Sequence, residues 1–133
     1  MLRTEFGYQS QIRPGFLANY LPGPLSLLYY LRLGYTLFHS TFPARSGRLD
    51  RPMWAMYSHR CLEIVESVGG NVTISGLESR AAHQGPVVYI GNHMSVVETV
   101  ILPGIELAFG DVNFVIKEEL RHYPILIPIF KAL

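Results

Sequence analysis

The sequence has few cysteines and few charged residues for its length. Cys61 is the only cysteine among 133 residues, so an internal disulfide is impossible. Charged residues make up 16% of the chain, below the roughly 25% typical of soluble domains. The 11 basic residues nearly balance the 10 acidic ones and form no cluster suited to nucleic-acid phosphates. We therefore expect no nucleic-acid partner, and we expect part of the apolar surface to contact lipid or further protein structure.

Sequence signals for a metal site or a serine nucleophile are also missing. No Gly-x-Ser-x-Gly elbow occurs, and Cys61 falls in an apolar stripe that favours core packing over nucleophilic chemistry. Four histidines show no metal-ligand spacing, so no metal is expected. These are His39, His59, His83 and His122.

The segment from Leu25 to Phe42 is apolar and rich in aromatic residues, which predicts a helix. Three placements of this helix remain open: in a bilayer interface, across a bilayer, or in a protein core. A span would be barely long enough, and Arg32 at its middle would cost roughly 2.5–3.5 kcal/mol. A buried helix would need partners on nearly every side, so the interface is favoured. One narrow face carries Tyr29, Arg32, Thr36 and Ser40, and the opposite side carries Leu27, Leu28, Leu31, Tyr35 and Phe38.

The rest of the pattern predicts helices that alternate with short strands. Asp50 can cap a helix with Pro52 in its first turn, and Gly69-Gly70 should end it. Residues 1–20 show no periodicity and are predicted to be irregular. We expect an α/β fold in which N-terminal membrane-associated helices (residues 1–70) precede a mainly parallel sheet flanked by helices (residues 71–133). Strands are predicted at 71–75, 86–90 and 113–116, and helices at 96–102, with a break or kink at Pro103-Gly104, and at 117–122.

The residues with the clearest chemical potential follow the predicted central strand. His93 lies at the carboxyl end of that strand, where open α/β sheets bind ligands, and Glu98 comes five residues later. A carboxylate that accepts one imidazole N–H fixes the tautomer and leaves the other nitrogen free to take a proton. Five helical residues turn through about 500°, so the two side chains can meet only if His93 lies in a turn and Glu98 in the first helical turn.

Two blocks of sequence resemble the glycerolipid acyltransferases, the family of lysophosphatidic-acid and glycerol-3-phosphate acyltransferases. Asn92-His93-x4-Glu98 resembles the family's Asn-His-x4-Asp block, with Glu in place of the usual Asp. Residues 114–120, followed by Pro124, resemble its Phe-Val-x-Lys-x-Glu-Leu block. The segments 75–78 and 85–88 are also similar, so that the resemblance covers about residues 71–130.

The resemblance implies the activity and the roles of four residues. His93 would be the general base, Glu98 would orient it, and Lys117 and Asn92 would contribute to substrate binding. The reaction would move a fatty acyl group from acyl-CoA or acyl-carrier protein to a lysophospholipid or glycerol phosphate, without a resident cofactor, at the cytoplasmic face of a membrane.

Two blocks of the family pattern, the third and the Pro-containing fourth, do not occur in this sequence. The Glu-Gly-Thr-Arg type loop, whose arginine binds the acceptor phosphate in the family, has no counterpart here. We therefore expect the chain to represent the N-terminal part of such an enzyme and to be inactive, or nearly so, on its own. The alternative is a catalytically silent fragment that binds membranes or partner proteins.

Overall fold

The structure is a computed structural model that describes residues 2–4, 7–10 and 22–132. Most of the described residues are helical. The elements in chain order are β1 (Leu2–Thr4), β2 (Gly7–Gln9), α1 (Pro22–Arg45), α2 (Arg51–Ser67), β3 (Thr73–Ile74), α3 (Leu77–Ala82), α4 (Val96–Glu106), a 3₁₀ helix (Glu118–His122) and α5 (Leu126–Ala132).

The sheet is small and antiparallel. Its strands contain two or three residues each and follow the order β1-β2-β3, with Tyr8 opposite Ile74. The strand predicted at 71–75 is thus reduced to two residues, and it pairs with a segment that was predicted to be irregular. The remainder of that prediction, at residues 1, 5, 6 and 11–20, lies outside the described residues.

The predicted α/β fold with a mainly parallel sheet is wrong. Residues 86–90 and 113–116, which were to supply its strands, have no regular secondary structure, and Val88 and Ile90 are 85% and 94% exposed. A short apolar run is compatible with a buried strand only if neighbouring strands satisfy its backbone groups. In the part of the chain that the structure describes, no strand pairs with either segment. The apolar residues of α1, α2 and α4 pack helix on helix instead.

The core lies where α2 packs between α1 and α4. Cys61 of α2 is buried at its centre, as predicted, and burial raises the pKa of its thiol to about 11. A second small cluster joins α1, α2 and α5. The central cluster contains Leu33, Cys61, Leu62 and Ile101, and the second contains Ala44, Leu49 and Tyr57, with Ile129 packed against it.

The ends of α2 follow the sequence prediction. The Asp50 carboxylate accepts from the backbone N–H of Met53 at 2.9 Å, and Pro52 lies in the first turn. A proline is tolerated there because the N–H it lacks would have no partner in the helix. At the other end, Gly69 adopts a positive φ of 89°, which stops the helix. Both predicted boundaries are confirmed to within two residues.

Helix α4 continues to Glu106, so Pro103-Gly104, where a break or kink was predicted, does not end it. Gly104 is needed for packing: a Cβ at this position would lie 2.5 Å from the Cβ of Ser58 on α2. The absence of a side chain therefore allows the two helices to approach closely. The Pro103-Gly104 pair therefore lies in the interior of a helix, where Gly104 forms a packing contact with α2.

Helix α1 presents its large apolar side chains to solvent. Several small and hydroxyl-bearing residues are buried instead, and the hydroxyls of Ser40 and Thr41 donate to the backbone carbonyls of Leu37 and Phe38 at 2.7 Å. The predicted helix is thus confirmed, and the predicted apolar side is the exposed one. No helix in the described ranges is long and apolar enough to cross a bilayer. The buried residues are Leu33, Thr36, Ser40, Thr41 and Ala44, and the exposed apolar residues are Leu27, Leu28, Tyr30, Leu31, Tyr35, Phe38 and Phe42.

Candidate functional site

The start of α4 positions the two candidate catalytic residues. Ser95 is the N-cap, with extended backbone angles (φ −155°, ψ 172°), and Glu98 is the third helical residue. His93 lies two residues before the cap, outside the helix. This is the arrangement that the five-residue spacing requires for the two side chains to meet.

Glu98 accepts several hydrogen bonds at once. Its Oε2 accepts from the Ser95 hydroxyl at 2.6 Å, and its Oε1 accepts from the backbone N–H of Ser95 at 2.6 Å and from that of Met94. Together with the bond from the Val97 N–H to the Ser95 hydroxyl at 3.1 Å, these contacts form a capping box. The Ser-x-x-Glu spacing of residues 95–98 is the sequence signal for this motif, and the sequence interpretation above missed it.

The hydrogen bonds to Glu98 keep its carboxylate ionised. The Ser95 hydroxyl, followed by the Ser95 backbone N–H, lowers the pKa of Glu98 from 4.5 to about 2. Hydrogen bonds to the charged form of an acid stabilise that form, and the positive end of a helix dipole acts in the same direction. At neutral pH the group is therefore an anion that can only accept hydrogen bonds.

His93 contacts this carboxylate directly. Its Nδ1 lies 3.1 Å from Oε1 of Glu98. Because an ionised carboxylate has no proton to give, Nδ1 must be the donor, and in the neutral imidazole Nε2 then carries a lone pair. The side chain of His93 is 72% exposed, whereas that of Glu98 is 27% exposed. The pair thus presents Nε2 of His93 as a proton acceptor, while the Glu98 carboxylate holds the imidazole through Nδ1.

The other two candidate residues do not join this pair. Lys117 is exposed and lies at the N-cap of the 3₁₀ helix, without a capping side-chain hydrogen bond. Asn92 is exposed in the segment before His93. Across the described residues, no hydrogen bond or ion pair links either side chain to His93 or Glu98. Their substrate-binding roles stay predictions.

Three exposed apolar residues lie close to His93 in the sequence. Ile90 and Met94 are 94% and 85% exposed, and Val96, in the first turn of α4, is also exposed.

The chain was compared with protein-family models, curated proteins and solved structures. No protein-family model, no curated protein and no solved structure matches the chain. Proposals about its function therefore rest on the geometry of the described residues and on the sequence motifs.

Proposed function

We propose that this protein is an O-acyltransferase in which His93 is the general base and Glu98 orients it. The acyl donor is an acyl thioester of CoA or of acyl-carrier protein, and the acceptor is the hydroxyl of a lysophospholipid or glycerol phosphate. The observation that carries the proposal is the 3.1 Å contact between His93 Nδ1 and the ionised carboxylate of Glu98.

The dyad supplies the proton transfer that the reaction needs. Nε2 of His93 takes the proton of the acceptor hydroxyl while the oxygen attacks the thioester carbonyl, forming a C–O bond. The C–S bond then breaks, and the imidazolium returns the proton to the departing thiolate. Glu98 favours this course because its negative charge stabilises the imidazolium between the two steps.

Lys117 and Asn92 complete the proposal on the acceptor side. The ammonium group of Lys117 is exposed and forms no ion pair within the described part of the chain, so it is available to a phosphate. Asn92 is adjacent to the base and can offer an amide to the acceptor. Both assignments come from the sequence resemblance. They require a substrate that extends from the His93–Glu98 pair to Lys117 and Asn92, which do not contact that pair.

The proposal also includes attachment to the cytoplasmic face of a membrane through the exposed apolar face of α1. The acceptor and the product are amphiphiles that reside in bilayers, so an enzyme acting on them gains by lying at the interface. Support comes from the sidedness of α1, whose exposed arc carries Leu31 and Phe38 while the hydroxyl residues Thr36, Ser40 and Thr41 are buried.

The test is a single-turnover assay in detergent, with protein in excess over acyl-CoA. Excess protein makes a slow single turnover visible, and a high acceptor concentration offsets the absence of a Glu-Gly-Thr-Arg type loop that would bind the acceptor. Release of free CoA thiol should depend on added lysophosphatidic acid and should fall about 10²–10⁴-fold in His93→Ala. His83→Ala, at an exposed histidine outside the site, is the matched control.

A second candidate function is a membrane-binding module without turnover. The exposed arc of α1 favours it, because that arc needs no chemistry at His93. Acceptor-independent thiol release, or equal rates in the native chain and His93→Ala, would select this candidate over the acyltransferase.

A further inference from the structure

The charged side chains of residues 22–49 are all basic. Residues 22–49 contain three arginines, Arg32, Arg45 and Arg48, and none of the ten acidic residues of the chain. The chain as a whole carries a formal net charge of only +1. Residues 22–49, which expose the large apolar face of α1, therefore carry no acidic side chain.

Two of these arginines lie at one end of the exposed face. Arg45 follows Phe38 and Phe42 at helical spacings of seven and three residues, which puts it on the same face in the last turn of α1. Arg48 is exposed in the turn after the helix, where its Nε donates to the Ser46 hydroxyl at 3.0 Å. Within the described residues neither arginine forms an ion pair.

The third arginine serves a different purpose. Nη1 of Arg32 donates to the Ser67 hydroxyl at 2.8 Å, which ties α1 to the end of α2. Arg32 is thus directed toward the protein, and the apolar arc itself contains no charge between Leu27 and Phe42. At helical spacing the exposed apolar residues from Leu27 to Phe42 cover an arc of about 160°.

We propose that the exposed face of α1 docks on an anionic bilayer, with Arg45 and Arg48 at the level of the lipid phosphates. The inference rests on the membrane attachment within the proposed function and adds the class of lipid. Apolar burial alone would not distinguish neutral from anionic lipids. Two unpaired guanidinium groups bordering the arc do distinguish them, because they bind phosphate oxygens and each contributes about a fivefold gain in affinity for an anionic surface.

The experiment measures co-flotation of the full chain with two kinds of vesicle. Binding should be stronger to phosphatidylcholine containing phosphatidylglycerol than to phosphatidylcholine alone, and 0.5 M salt should reduce the difference. R45Q combined with R48Q should lower binding to the anionic vesicles about 25-fold and leave binding to the neutral ones unchanged. R60Q combined with R80Q removes the same net charge elsewhere and should leave both unchanged.

Each other outcome overturns the inference in a distinct way. Equal binding to both vesicles would reject the anionic lipid and keep membrane attachment. No binding to either would reject both. Self-association without vesicles that L31E abolishes would identify the face as an interface between copies of this chain. None of these outcomes bears on acyl transfer, which is measured separately in detergent.

Discussion

The hydroxyl of Ser95 donates to Oε2 of Glu98 at 2.6 Å, so the residue that caps α4 also holds the carboxylate that contacts His93. The capping box and the proposed catalytic dyad therefore share one side chain. A helix N-terminus is a suitable support for such a dyad, because the bonds that stabilise the helix also fix the acceptor of the imidazole proton.

Replacing Ser95 by alanine should weaken both the cap of α4 and the support of the Glu98 carboxylate. S95A loses the cap and should destabilise the protein by about 1 kcal/mol, the usual effect of removing an N-cap hydroxyl. It should also raise the pKa of Glu98, because the Ser95 hydroxyl is the largest cause of its depression. Thermal unfolding and a carboxyl NMR titration measure the two effects. S79A, at an exposed helical serine, should change neither.

The contribution of Glu98 to stability should depend on pH in the acid range. The folded pKa of about 2 lies below the ordinary 4.5, so the unfolded chain binds more protons between these values. The stabilisation is therefore fully present above about pH 5 and is lost as the pH falls toward 2. In E98Q the contribution is absent, so the difference in melting temperature between the native chain and E98Q should shrink over this range. A difference independent of pH would contradict the depressed pKa.

His93 and Glu98 should behave as a unit in the single-turnover assay. H93A should lose about 10²–10⁴-fold, and E98Q should also slow the reaction because the base loses its fixed partner. The double variant should be little slower than H93A alone, because Glu98 acts through His93. E78Q, at an exposed acid on α3, is the control. Multiplicative losses in the double variant would indicate independent roles.

Two charges on the exposed arc of α1 should release the protein from membranes. Leu31 and Phe38 are 62% and 51% exposed, so L31E with F38E should leave the fold intact while removing binding to vesicles. V88E with V115E makes the same change at two other exposed apolar positions. Release by this control pair would move the membrane contact to the region around His93.

The contact between α2 and α4 should not tolerate a methyl group. G104A would bring a Cβ within 2.5 Å of Ser58 Cβ, and the forced separation of the helices should cost about 1–3 kcal/mol. G34A is the matched control, because Gly34 is in the interior of α1 with nothing within 4 Å of its added Cβ. It should stabilise the protein by about 0.4–1 kcal/mol. Urea unfolding of both variants measures the comparison.

The sequence predicted the features that local chemistry determines. Asp50 can satisfy a helix start by itself, and Gly69 can end one, so both boundaries of α2 follow from their immediate neighbours. The meeting of His93 and Glu98 was also predictable, because the spacing allows it in only one local geometry. The capping role of Ser95 was readable from residues 95–98 and was overlooked.

The errors concern pairing between distant segments. Whether residues 86–90 form a strand depends on a neighbour that local sequence does not specify. The packing of Gly104 on Ser58 likewise depends on how α2 and α4 meet, so the local pattern at Pro103-Gly104 predicted a break or kink and not this contact. The short strand at Thr73–Ile74 pairs with residues near the start of the chain, which carry no periodic signal of their own.

The burial of Cys61 makes the protein well suited to site-directed labelling. A thiol reacts with maleimides and spin labels as the thiolate, and Cys61 is both enclosed and held protonated by its raised pKa of about 11. A second cysteine introduced on the exposed arc of α1 would therefore take the label selectively while the native one remains in place. Fluorescence quenching or spin relaxation at successive positions could then give the depth of the helix in a vesicle residue by residue, without first removing a side chain from the core.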